Sequence, residues 1–399
     1  MNILFLTVSR IDTVDSHGIY SDLMRELAGM GNDVYIATPL ERRYGGKTHV
    51  ISTGNVKILK VKTLNIQKTN VIEKGIGTLL LETQFLKAIN KFWGDVRFDL
   101  ILYTTPPITF NKVISSLKKK YEARTYLLLK DIFPQNAVDL GMFPANSRLY
   151  KMFRKKEMKL YSLSDKIGCM SRANKEYLVK ENPELSEDKI EIFPNSVTPL
   201  PYTQRSDDER KTILESLGID PAKVVSLYGG NIGKPQGLDF ILKVLESNEN
   251  RKNHHIVIVG NGTEFGKLQD WIETRSPKNV TLLGAVPQSE YVRLSQAADI
   301  GLVFLDHRFT IPNYPSRIIS YMECAIPLML ATDVNSDVGT DAMNGGYGLW
   351  SRSDDLAGFD RQFDRLIADA DLRREMGLKG RRHVEEHLDI RAHIPKLFN

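Results

Sequence analysis

Residues 224–237, VVSLYGGNIGKPQG, limit the choice of fold more than any other stretch of this chain. An apolar run with β character, 224–228, breaks into Gly229, Gly230, Asn231, Ile232, Gly233 and Lys234, and residues 238–245 then have the periodicity of an amphipathic helix. Strand, glycine-rich turn and helix together make a phosphate-binding layout. Glycines let the backbone approach an anion, a lysine supplies charge, and the helix N-terminus adds its positive end. The plainer alternative is a flexible strand-to-helix connection of the kind any α/β protein contains. The Walker pattern is absent, and the dinucleotide fingerprint lacks its acidic residue after the next strand. The position of the segment, near the start of the second half, makes it the opening of a second α/β domain.

A length of 399 residues is enough for two or three domains, each with its own core. Hydrophobic residues at 42% and charged residues at 26% are those of a soluble protein, with no targeting leader expected after Met1. No apolar run is long enough to cross a bilayer. Cys169 and Cys324 are too few for a disulfide framework or a standard zinc site, which favours a reducing, cytoplasmic setting. Charge is unevenly placed. Residues 111–180 hold 16 Lys/Arg against 6 Asp/Glu, a local +10 in a chain of net +5. Such a block points to an anionic surface, either a membrane or a polyanion.

In the first half, residues 2–8 read as a buried strand, 19–30 as a helix and 33–38 as a second strand, the start of a Rossmann-like domain. The loop between them places Gly18 at a helix start, at the carboxyl ends of the strands where ligands sit, with His17 beside it. Further strands are expected at 56–61, 99–103, 125–129, 165–171 and 190–193, with a helix within 68–92. Asp131 follows the strand at 125–129. A carboxylate there either caps a helix or points into the cleft. Because PQNAVDLG does not read as a cleanly capped helix, the second role is favoured: orienting an acceptor hydroxyl or accepting its proton. Residues 147–162, SRLYKMFRKKEMKLYS, form a basic amphipathic helix, which either exposes a solvated face or lies on anionic lipid. With LKKK at 117–120 nearby, the lipid reading is preferred. Residues 203–210 look like the linker.

The second half supplies strands at 224–228, 255–259, 280–283, 299–305 and 327–331, with a helix at 313–323. Two doubly wound α/β domains in tandem make a facing cleft. In order, HG, FPNSV, GGNIGKPQG, VIVGNG, VTLLGAV, AADIGLVFL and PSRIISYMECAIPLMLA resemble a GT-B glycosyltransferase, most of all the retaining family 4. LLLKDIFPQNAVDLG is similar to bacterial enzymes that extend lipid-linked O-antigen or capsule repeat units, including the fucosamine transferase type.

The resemblance implies two Rossmann-like domains facing across a cleft. Residues 1–200 would bind the acceptor and 201–375 the nucleotide sugar, and a helical segment, 376–399, would pack back on the first domain. Lys234 matches the family's phosphate-contacting lysine. The neighbouring arginine of the family is replaced by Asn231, and Arg317, following Pro315-Ser316, is the substitute cation, helped by the amides of its helix. Gly230, Gly260 and Gly262 would line the donor pocket, and the base would lie against Gly284, Ala285 and Val286. The family's glutamate pair falls on Pro312 and Ser320. Ser320 would therefore take a ribose hydroxyl, and Glu323 is an ordinary capping or solvated glutamate. Asn195 and Arg172 are further cleft candidates. The D-x-D at Asp369-Ala370-Asp371 lies in the C-terminal helical region, so no metal is expected.

The expected activity is retaining transfer of a hexose or amino sugar, from a UDP-sugar first and a GDP-sugar second. The acceptor would be a polyprenyl-diphosphate saccharide at the inner leaflet. The protein would then be a peripheral one on the cytoplasmic face of the membrane, with no nucleic-acid partner. Two other readings compete: a nucleotide-sugar epimerase of the same fold, and a non-enzymatic polyanion-binding protein. The last lacks visible aromatic stacking platforms.

Overall fold

The computed structural model describes residues 1–66 and 71–399, so the first residues of the 68–92 stretch expected to contain a helix lie outside the described residues. The chain forms two units. One is Met1–Thr198 with Ile390–Asn399, and the other is Pro199–Asp389. The division falls two residues before the expected 200/201. The returning segment is residues 390–399 rather than 376–399.

The first unit holds eight strands: β1 (Asn2–Leu6), β2 (Asp33–Glu41), β3 (His49–Thr53), β4 (Val56–Thr63), β5 (Leu100–Thr104), β6 (Arg124–Leu129), β7 (Lys166–Cys169) and β8 (Ile190–Ile192). They lie in the order β3-β4-β2-β1-β5-β6-β7-β8, parallel except for the β3–β4 hairpin. Its helices are α1 (Ile19–Gly29), α2 (Val71–Trp93), α3 (Asn111–Tyr121), α4 (Gln135–Asp139), α5 (Arg148–Leu163) and α6 (Arg172–Glu181). β5, LILYT, is buried at every position, as a strand covered on both faces must be, so its sequence is continuous in apolar character rather than alternating. α1 turns Leu23, Met24 and Leu27 onto Phe5, Leu102 and Leu128. The chain's last residues join that core through Ile390, Ile394 and Leu397. Each such buried side chain stabilises the unit by roughly 1.5–3 kcal/mol. That is why the terminus stays docked, with the Arg124 guanidinium donating to the Phe398 carbonyl at 2.7 Å.

The second unit holds β9 (Val224–Asn231), β10 (His254–Asn261), β11 (Val280–Leu283), β12 (Ile300–Phe304), β13 (Leu328–Thr332) and β14 (Gly348–Arg352). All pair in parallel, in the order β11-β10-β9-β12-β13-β14. The helices continue as α7 (Asp207–Ser216), α8 (Leu238–Asn248), α9 (Phe265–Arg275), α10 (Gln288–Ala297), α11 (Arg317–Glu323), α12 (Val338–Asn344), α13 (Leu356–Ala368) and α14 (Ala370–His387), with α15 (Ile390–His393) back on the first unit. The core centres on Tyr228, Ile256, Leu302, Phe304, Phe359 and Phe363.

β1 lies between β2 and β5, and β9 lies between β10 and β12. These are the switch points of the two sheets. Helices leave in diverging directions there and open a crevice at the carboxyl ends of the strands. Among the described residues no helix is long and apolar enough to cross a membrane.

Candidate active site

β9 runs past its apolar stretch and carries the glycine-rich turn in its last residues, pairing Gly230 with Gly260 and Asn231 with Asn261. The backbones meet very closely here. A Cβ on Gly260 would stand 1.8 Å from the Gly230 carbonyl oxygen, and one on Gly262 would stand 2.1 Å from that of Ile232. Strand packing thus accounts for Gly260 and Gly262 without any ligand. Gly230 has φ +123°, where a side chain is strained. Gln236 closes the turn, its Oε1 accepting from Asn231 Nδ2 at 3.0 Å and from the Gly233 amide at 3.1 Å. Lys234 follows in a short 3-10 turn, exposed and without an ion-pair partner among the described residues.

Arg317 opens α11 and lays its guanidinium beside the turn. Its Cζ is 3.5 Å from where a Gly230 Cβ would stand and 4.8 Å from the Tyr228 ring centroid. Among the described residues no carboxylate pairs with it, and Nη1 is buried with no hydrogen-bond partner. Tyr321, four residues along α11, accepts the Gly229 amide at 2.9 Å. α11 has only seven residues, so its end contributes less field than the guanidinium does. Ser316 is exposed at its N-cap, and Ser320 is half-buried one turn on, its hydroxyl meeting no protein group among the described residues.

Glu323 is a structural residue, accepting the Leu200 amide at 3.1 Å while its carbonyl takes Arg381 Nη1 at 3.1 Å. Gly284 and Ala285 are exposed and Val286 is partly so, just beyond the sheet-edge strand β11, and a Cβ on Gly284 would meet nothing within 4 Å. The D-x-D pair serves a helix end. Asp369 caps α14 by accepting the Leu372 amide at 2.9 Å, and among the described residues no cluster of three or more His, Cys, Asp or Glu is placed to hold a metal.

In the first unit Asp131 follows β6. A short helix, α4, does form after it, but its N-cap is Pro134. The Asp131 carboxylate is therefore not the cap; it accepts from the Asn136 side chain at 2.7 Å. Burial pushes its pKa up to about 6, against the opposing hydrogen bonds of Asn136 and the Ile132 amide. Thr105 fixes the backbone beneath it, its hydroxyl donating to the Asp131 carbonyl at 3.0 Å. Next to it, Lys130 reaches the carbonyls of Phe193 and Pro194 at 3.3 and 3.4 Å, and burial lowers its pKa to about 7.

The Gly18 loop is organised by Asp22, which is fully buried. Its carboxylate accepts from the Gly18 amide at 3.2 Å, Arg25 Nη2 at 2.6 Å and the Thr198 amide at 2.9 Å, with His17 Nδ1 at 2.9 Å. Burial alone would raise this acid; the contacts with His17, the Thr198 amide and Arg25 outweigh it and hold the pKa below the usual range. Of the weaker candidates, Arg172 is a surface cation, 84% exposed and paired with Glu176 at 2.7 Å. Asn195 is buried and donates to Met170 Sδ at 3.6 Å.

The basic region divides in two. Lys118 is committed to Asp165 at 2.6 Å and Lys120 to the Gly94 carbonyl at 2.8 Å, so most of the LKKK run serves packing. The aromatics of α5 also turn inward: Phe153 meets Phe133 and Phe143, and Tyr161 is buried. The outer face of α5 differs. Lys151, Lys155 and Lys159 are exposed without ion pairs among the described residues, and Leu149, Met152 and Met158 stand exposed beside them.

Sequence reasoning missed Tyr228, Tyr321 and Asp22. Each sits at short range from a residue it did find: Tyr228 two before Gly230, Tyr321 four after Arg317, Asp22 four after Gly18.

Residues 209–383 match the family model of glycosyl transferases group 1. The probable glycosyltransferase WbjE of Pseudomonas aeruginosa is 22% identical over 354 residues, spanning 87% of this chain and 84% of that protein. Among solved structures, sucrose-phosphate synthase from Thermosynechococcus elongatus superposes with a TM-score of 0.76 at 16% identity, covering 100% of this chain and 98% of that one. WaaG, a glycosyltransferase involved in lipopolysaccharide biosynthesis, gives 0.68 at 12%, covering 99% and 98%. HepE from Anabaena, in complex with UDP-glucose, gives 0.70 at 13%, covering 100% and 98%. The chain therefore has two Rossmann-like sheets in the GT-B fold of these structures, and most of its second unit carries the signature of glycosyl transferases group 1.

Proposed function

We propose that this protein moves a hexose or amino sugar, with retention of configuration, from a nucleotide diphosphate sugar to a polyprenyl-diphosphate saccharide during assembly of a surface polysaccharide. The observation that carries the reading is Arg317: a guanidinium against Gly230 with no anionic partner among the described residues and a buried, unused Nη1. Negative charge grows on the departing diphosphate as the glycosidic bond breaks, and cations fixed in advance lower that barrier. Arg317 and Lys234 flank the glycine turn and would neutralise it. Backbone groups at Gly284, Ala285 and Val286 would read the base, and the Ser320 hydroxyl would take a ribose hydroxyl. Asp131 would accept a hydrogen bond from the acceptor hydroxyl, which orients it. A UDP donor is favoured by the complex of HepE with UDP-glucose.

The outer face of α5 supports a lipid-linked acceptor. Exposed lysines beside exposed Leu149, Met152 and Met158 suit an anionic bilayer surface better than they suit a soluble substrate. WbjE and WaaG, by their names, support transfer in surface polysaccharide assembly. The test is a thermal-shift panel of UDP-, GDP- and ADP-sugars, followed by turnover with a lipid-linked saccharide. One nucleotide class should raise the melting temperature; if none does, the donor reading fails.

A further inference from the structure

We infer that Tyr228 is a positioning residue that holds Arg317 as an uncompensated cation for the donor's diphosphate, an inference that rests on the donor reading above. Tyr228 is 2% exposed and ends the apolar run of β9. Its hydroxyl donates to the Asn231 carbonyl at 2.6 Å, which pins the glycine turn. Its ring carries the Arg317 guanidinium 4.8 Å from the centroid. One side chain therefore ties the turn to the cation. Two more tyrosines complete the cage. Tyr321 accepts the Gly229 amide at 2.9 Å, and the Tyr291 ring fills the space over Gly229, 2.2 Å from where a Cβ would be.

A guanidinium out of water is ordinarily matched by a carboxylate. A carboxylate would hold Arg317 in place, but it would also cancel the field that an incoming diphosphate feels. An aromatic face attracts a cation through its quadrupole and leaves the charge intact. The cage thus fixes the side chain without neutralising it. The buried Nη1 is left as the donor for a phosphate oxygen, in the charge-assisted geometry that arginine forms with phosphate.

The test is calorimetric titration of the full chain with UDP, GDP and ADP and with the matching nucleosides. For the nucleotide that binds, Tyr228→Leu should weaken the diphosphate about tenfold and leave the nucleoside unchanged. Tyr228→Phe keeps the ring and should stay within about threefold of wild type. In an Arg317→Met background, Tyr228→Leu should cost almost nothing further. An equal cost in both backgrounds, or an equal loss for nucleotide and nucleoside, would make Tyr228 a shaper of the turn only and overturn the inference. If Tyr228→Leu does not fold, Arg317→Met decides. With no ion pair among the described residues to lose, its melting temperature should match or exceed wild type, and a fall of more than about 5 °C would contradict an uncompensated cation. A wild-type protein that binds no nucleoside diphosphate would instead remove the donor reading itself, and this role with it.

Discussion

The loops after β1 and β9 hold the same place in their sheets, each at the point where the strand order diverges. Their electrostatics differ. After β1, the Asp22 carboxylate is buried and fully engaged by His17, the Gly18 amide, Arg25 and the Thr198 amide. After β9, Lys234 has no ion pair among the described residues, and the half-buried Arg317 rests on a tyrosine face with its buried Nη1 unused. A charge satisfied inside the protein stabilises the fold. A charge held without a partner costs stability and is available to a ligand. On the proposed reading the first loop holds its shape and the second would bind an anion.

The contrast fails most visibly if the buried acid can be removed cheaply. Asp22→Asn should cost about 3–5 kcal/mol of stability in urea unfolding, as for other broken buried pairs. Its folded pKa lies below the unfolded value, so this stabilisation is complete above about pH 4 and fades as pH falls further. A cost under about 1 kcal/mol would mean the carboxylate does not organise the loop. The cations of the second loop should behave the other way. Lys234→Ala and Arg317→Met should each lower kcat/KM by about 10²–10³-fold, with unfolding midpoints within about 3 °C of wild type. Activity retained in either variant would take that side chain out of the mechanism.

A smaller effect sharpens the role of the first unit. Replacing Lys151, Lys155 and Lys159 together with Gln should weaken binding to anionic vesicles roughly 100-fold, at about 1 kcal/mol per lysine. Turnover of a soluble acceptor analogue should not change, and flotation as strong as wild type would remove α5 from membrane contact. Asp131→Asn should be the mildest for the fold. Because the acid is raised to about 6, folding favours its protonated form, and stability declines as pH rises from about 4 to about 6. The variant should therefore be about 1–3 kcal/mol more stable than wild type at neutral pH. It should also lose the rise in kcat that wild type is expected to show through about pH 6. A kcat profile that Asp131→Asn leaves unaltered would exclude the carboxylate from the chemistry.

Much of this architecture is legible in the sequence because strands buried on both faces are continuous apolar runs, such as LILYT and IGLVF. The elements missed are the exceptions. β3 is an exposed antiparallel edge strand, HVIST, whose only signal is the Gly54-Asn55 turn that follows it. β14, GLWSR, hides behind two glycines at the far edge of its sheet. At the site, Gly230, Lys234 and Arg317 can be found from sequence because glycine and charge are local signals. Two of the tyrosines around Arg317 cannot, since Tyr228 and Tyr291 come from β9 and α10 and meet it only in the fold, whereas Tyr321 is its neighbour one turn along α11. Gly260 and Gly262 show the converse: a glycine pattern that resembles a ligand pocket also follows from two backbones in contact.

The most direct test is a crystal structure of the protein with an intact nucleotide sugar. Both phosphates should lie at the carboxyl end of β9, one within hydrogen-bonding distance of Arg317 Nη1 and the other of Lys234 Nζ. Phosphates bound anywhere else, with Arg317 still facing no anion, would contradict the donor reading.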